Sequence, residues 1–205
     1  EEKEDVSVNP GSGDVIENNI SVSYENVAFN VFKRQGEVTI HATVNDNTDA
    51  TNCDLSVYDD EGYKIGTLVD DVNIVTNGDI AAGDGIYSCK CEIRLKADNN
   101  LYVKMGDIKS DSLYISFDSM APKTDEEDMD FLCLCEIFDD CRDEVQNYSL
   151  DKKLAKYELV LNHLTESLSY TYKVPMLKAE SIRFVGTTVY AETYFGLVFT
   201  FDVMD

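Results

Sequence analysis

The stretch Tyr87-Ser88-Cys89-Lys90-Cys91-Glu92-Ile93-Arg94-Leu95 alternates apolar and polar side chains over nine positions. Successive side chains of a strand point to opposite faces, so this period of two predicts a half-buried strand with Tyr87, Cys89, Cys91, Ile93 and Leu95 inward. The same grammar extends upstream. Val38, Ile40, Ala42 and Val44 alternate with Glu37, Thr39, His41 and Thr43, and Cys53, Leu55 and Val57 make a further inward set. Ile20–Tyr24, Val27–Val31, Tyr63–Val69, Leu101–Met105 and Leu113–Phe117 complete the candidate strands. Turn-forming clusters separate them: Asn45–Asn52, Asp59-Asp60-Glu61-Gly62, Asn77-Gly78-Asp79 and Asp98-Asn99-Asn100. Many short strands divided by such turns predict a β-sandwich of immunoglobulin type over residues 16–118. The chain has no Trp, so a core built on Trp against a disulfide is excluded.

From Met120-Ala121-Pro122 onward the pattern changes. The acidic run Asp125–Asp130 suits a helix start, where negative charge complements the dipole. Phe131, Leu134, Cys135, Phe138 and Val145 then recur at helical spacing. Ser149 or Asp151 is placed to cap a second helix with Leu154, Tyr157, Leu161, Leu164 and Leu168 as its apolar stripe. After Pro175 the runs Ser181–Val185, Thr188–Tyr194 and Leu197–Val203 read as strands, with Gly186 and Gly196 at the hairpins. Residues 119–205 are therefore expected to form a small α+β domain, two helices over a three-stranded antiparallel meander. Residues 1–15, polar and turn-rich, read as a flexible tether.

One block resembles a known family. Gly78-Asp79-Ile80-Ala81-Ala82-Gly83-Asp84-Gly85-Ile86-Tyr87-Ser88, preceded by the pair Asp70-Asp71, is similar to the Gly-Asp-x-x-Ala-Gly-Asp-Gly-x-Tyr-Ser block of bacterial extracellular Ig-like domains. Gly83 and Gly85 suit positive φ, and the Asp84 carboxylate suits nearby backbone N–H groups. The resemblance spans roughly residues 16–118. It implies a spacer or binding module of a modular surface protein, not a catalyst. The run Ser181-Ile182 through Gly186, Thr188-Val189, Thr193 and Gly196 is similar to small domains of gut-bacterial surface proteins.

The 205 residues hold 40 Asp+Glu against 17 Lys+Arg, a formal net charge of −23. Residues 1–118 carry 23 acidic and 9 basic residues, and residues 119–205 carry 17 and 8, so the charge is spread over the whole chain. Such a surface repels phosphates and argues against nucleic acid or an anionic membrane as partner. No stretch approaches the roughly 18 apolar residues of a membrane helix, so no direct membrane span is expected. The chain starts at Glu1 rather than Met, as expected after signal or lipoprotein cleavage. With the solvated acidic exterior, this points to an extracellular or surface-anchored location.

The six cysteines, Cys53, Cys89, Cys91, Cys133, Cys135 and Cys141, read as buried thiols or as a disulfide from Cys53 to a neighbouring strand. Cys-x-Cys at 89/91 and 133/135 departs from zinc spacing. For Ca²⁺, Asn45–Asp49 lacks the Gly and Glu of an EF-hand loop, whereas Asp70, Asp71, Asp79 and Asp84 could converge on one edge of the sandwich. The favoured reading makes them turn formers, so no cofactor and no metal ligand is expected. His41 is placed on an outward strand face. His163 lies beside the Leu161/Leu164 stripe, where pairing with Cys141 would be the mark of a peptidase. No catalytic residue is assigned. Tyr170, Tyr172, Tyr190 and Tyr194 alternate as though lining one face of the last sheet, where they would contact carbohydrate or a protein partner, although packing into the core is the favoured reading. The function expected is a non-catalytic spacer or adhesion module at the cell surface. The alternative is a region of a secreted hydrolase, glycosidase or cysteine peptidase.

Overall fold

Why the chain forms these elements follows from its alternation, but their joining is set by long-range pairing. The computed structural model describes residues 19–45, 54–73 and 76–205. Eight strands come first: β1 (Ile20–Asn30), β2 (Gln35–Val44), β3 (Leu55–Tyr58), β4 (Lys64–Leu68), β5 (Tyr87–Ile93), β6 (Asn99–Met105), β7 (Ile108–Lys109) and β8 (Leu113–Ile115). Helices α1 (Asp125–Val145) and α2 (Leu150–Leu164) follow, then β9 (Arg183–Val185), β10 (Thr188–Glu192) and β11 (Val198–Asp202). Two expected strands, Ile20–Tyr24 and Val27–Val31, are one strand interrupted by a register shift between Glu25 and Ala28, where Asn26 has φ 55°. Asn99 and Asn100, expected in a turn, open β6 instead.

The strands form two sheets. The larger has six strands in the order β5-β2-β1-β11-β10-β9, and the smaller runs β4-β3-β6-β7 with β8 also paired to β6. All pairings are antiparallel except β1 with β11, which lie parallel with Phe29 opposite Phe199 and Asn30 opposite Thr200. The expected meander of three C-terminal strands is present as β9-β10-β11. It does not stand apart, however. Its last strand extends the N-terminal sheet, and one apolar core runs from Ile20 to Val203. The boundary expected between residues 118 and 119 is crossed by both hydrogen bonds and packing. The expected tether lies outside the described residues.

Register decides what faces the core. Gly36, Phe29 and Phe199 are in line across three strands, as are Ile40 with Cys89 and Ala191 with Phe199. These residues therefore share one face of the larger sheet. The smaller sheet covers the β5-β2 end of that face: a Cβ on Gly66 of β4 would stand 2.5 Å from Cys89 Sγ. The helices cover the other end. Phe201 is the hub there, with ring centroids 4.9 Å from Phe138 of α1, 4.9 Å from Tyr157 of α2 and 5.0 Å from Phe32. Thr124 caps α1 by accepting from Glu127 N at 3.1 Å, and Glu127 accepts from Lys123 N at 2.6 Å. Leu168, expected in the second helical stripe, lies beyond the end of α2 and is exposed. No helix among the described residues is long and apolar enough to cross a membrane.

Two outcomes check this packing. A fragment ending at Asp118 lacks β11 and both helices, leaving Phe29 and Phe32 uncovered. It is expected to show no cooperative thermal transition, whereas the full chain shows one. The Tyr157 hydroxyl is buried without a hydrogen-bond partner. Tyr157→Phe removes that unsatisfied group and is expected to leave stability unchanged or raise it by about 1 kcal/mol, read by urea unfolding.

Candidate functional site

The opposite face of the larger sheet is polar where β1, β2 and β5 meet. Ser23, His41 and Ser88 stand side by side in register, flanked by Glu25, Thr39 and Thr43. This face is partly roofed by the segment between β4 and β5, which contains the Gly-Asp-x-x-Ala-Gly-Asp-Gly block. Gly78 (φ 80°) lies so close to the Thr39 methyl that no Cβ would fit. Gly83 and Gly85 have φ of 75° and 84°, as expected, and Asp84 Oδ1 accepts from Ile86 N at 2.9 Å. A second clamp comes from a residue 13 and 15 positions upstream. Asp70, two residues beyond β4, accepts from Gly83 N at 2.6 Å and from Gly85 N at 2.9 Å. The two sheets also meet at this edge, through a bridge between Val69 and Ser88 with N–H···O distances of 3.0 and 2.8 Å.

Between roof and sheet is a cavity of about 410 Å³. Its floor carries Ser21, Ser23 and His41, with Ser88 fully buried at its base, while Ile80 and Ile86 supply apolar walls. His41 Nδ1 is 2.7 Å from Ser88 Oγ, and Nε2 is 3.2 Å from Glu25 Oε1. A carboxylate only accepts, so Nε2 carries a proton, and in the neutral ring Nδ1 accepts from the Ser88 hydroxyl. The order carboxylate, imidazole, hydroxyl is that of a nucleophile with its base. Ser88 is 0% exposed, so its hydroxyl lies beneath the surface a substrate would reach. The expectation that His41 faces outward therefore holds for the sheet, but the ring is half-buried under the loop.

The remaining expected groups are dispersed. His163 is exposed at the end of α2 and Cys141 is buried in α1; no hydrogen bond joins His163 to a cysteine among the described residues. Cys89 and Cys91 point into the core with sulfurs 3.5 Å apart, and all five described cysteines are free thiols. Burial pushes the thiols of Cys135 and Cys141 up to about 11, which keeps both protonated and unreactive at neutral pH. Cys53 and most of Asn45–Asp49 lie outside the described residues.

The four tyrosines do not share a sheet face. Tyr190 is buried under the Arg183 guanidinium, 4.1 Å from its ring centroid. Tyr170 and Tyr172, 57% and 56% exposed, sit in the connection after α2. Tyr194 donates to Asp130 Oδ2 at 2.7 Å, and burial together with that carboxylate raises its pKa. Alternation failed as a guide because residues 170–172 form a turn closed by the bridge between Leu168 and Pro175, with Lys173 at φ 53°, which leaves the first pair on a loop.

The clamp on the roof yields a direct check. Gly78→Ala places a Cβ against Thr39 and in a left-handed conformation, which together are expected to cost about 1–3 kcal/mol. Thermal unfolding measures the loss, and faster proteolysis between β4 and β5 would locate it. In comparisons with known proteins, no family model matches the chain, and no curated protein or solved structure matches it either.

Proposed function

We propose that this chain is a non-catalytic binding or adhesion module of an exported bacterial surface protein. In this reading an Ig-like sandwich is formed by β5-β2-β1 against the smaller sheet. The helices and meander extend it as an insertion-like elaboration of one sheet rather than as a free-standing domain. The observation that carries the reading is the roofed cavity. The block resembling extracellular Ig-like domains folds over a polar sheet face to make a concavity with polar floor and apolar walls. Its volume falls in the range of about 300–1,000 Å³ typical of small-ligand sites. A hydroxyl-bearing ligand such as a sugar, or a short peptide segment, matches serine and threonine hydroxyls below and isoleucines at the rim. The even acidic charge supports an exterior location by keeping the surface solvated and self-repelling.

A hydrolase is the second reading, favoured by the Glu25–His41–Ser88 row. Burial of Ser88 opposes it, because an attacking oxygen must come within about 3–3.5 Å of the reacting carbon.

Two assays on the full chain separate these readings. Glycan and peptide arrays are expected to give retained ligands whose binding drops at least about 10-fold in Ile80→Asp, which charges the exposed rim. A fluorophosphonate probe is expected to leave Ser88 unlabelled by mass spectrometry. A stoichiometric adduct at Ser88, abolished in His41→Ala, would overturn the non-catalytic reading.

A further inference from the structure

Three carboxylates from separate points of the chain meet beside the cavity. Asp70 lies two residues beyond β4, Asp79 lies in the bridge with Asn73, and Asp84 sits between two left-handed glycines. One carboxylate oxygen from each falls within 4.8 Å of the others. Asp79 is only 1% exposed, and its Oδ2 has no hydrogen-bond partner. An ionisable oxygen in that position has lost its water without a donor in exchange, which is costly. Backbone N–H groups satisfy part of Asp70 and Asp84, but each of those oxygens retains a second lone pair. None of the ion pairs among the described residues reaches these three side chains. Three like charges thus converge with no lysine or arginine between them.

We propose that Asp70, Asp79 and Asp84 bind a calcium ion that staples the roof of the cavity to the sheet edge. Ca²⁺ takes oxygen ligands at about 2.3–2.6 Å, so two oxygens on opposite sides of the ion stand about 5 Å apart, which accommodates this cluster. The donor set is all hard oxygen, which suits Ca²⁺ and disfavours thiophilic metals. Mg²⁺ demands tighter, near-octahedral geometry and keeps most of its water, which a three-carboxylate loop does not impose. Asp79 belongs both to the cluster and to the cavity lining, and Asp70 also holds Gly83 and Gly85. Ion binding and the shape of the cavity are therefore mechanically coupled.

The test uses the full chain stripped with EDTA and titrated with CaCl₂. Calorimetry is expected to give one ion per chain with a dissociation constant on the order of 10⁻⁴ M. At about 100-fold excess over that constant, Tm is expected to rise by about 5–10 °C. Asp84→Asn, at an exposed turn, is expected to weaken binding at least about 10-fold, and Asp79→Asn to abolish the calcium-dependent rise in Tm. Asp111→Asn, an exposed carboxylate elsewhere, is expected to behave as the parent chain. The proposal is overturned if the parent chain shows neither heat nor a Tm shift. It is equally overturned if Mg²⁺ at matched ionic strength gives the same shift, or if Asp84→Asn responds as fully as Asp111→Asn.

Discussion

The parallel contact between β1 and β11, Phe29 opposite Phe199, is the constraint on which the architecture rests. It joins strands from opposite ends of the chain and turns two short sheets' worth of residues into one continuous six-stranded surface. Only because β11 is held there do Phe199 and Phe201 lie in the same plane as Val38 and Ile40. The smaller sheet and the helices can then cover a single face side by side. Burying a phenylalanine contributes roughly 1.5–3 kcal/mol, and Phe201 alone ties together α1, α2 and the turn after β1. Such distant pairing must close a long loop before it is rewarded, so it is expected to form late in folding.

Covering one face leaves the other for chemistry. Along β2 the same alternation that sends Val38, Ile40 and Ala42 inward sends Thr39, His41 and Thr43 to the polar side. The chain between β4 and β5 then crosses that side. Asp70 holds two of its amides, and Gly78 permits contact with Thr39. The cavity is thus a consequence of a loop clamped at the sheet edge rather than of a cleft between domains. Its acidic hinge and its polar floor meet at Asp79.

Much of this was legible in the sequence because local rules set it. Strand alternation at Tyr87–Ile93, the helical stripes around Phe138 and Tyr157, and the left-handed Gly83 and Gly85 all follow from side-chain period or backbone sterics, whereas Leu95, expected inward, lies past the end of β5 and is exposed. Carried across the turn that follows α2, alternation misleads. Tyr170 and Tyr172 share the spacing of Tyr190 and Tyr194, yet they sit in a turn closed by the bridge between Leu168 and Pro175. The domain boundary at 118/119 was read from a real change in pattern, but a change in local grammar carries no information on which strands later pair.

The sequence by itself therefore determined most of the strands and helices and which side chains within one element share a face, since these depend on neighbours a few residues away. Tertiary structure alone decided that β11 pairs with β1, that His41 meets Ser88 and Glu25, and that of the four aspartates around the block it is Asp70, Asp79 and Asp84 that converge. Each of these depends on sheet order and register, which are chosen by the burial of the whole apolar face rather than by any local pattern.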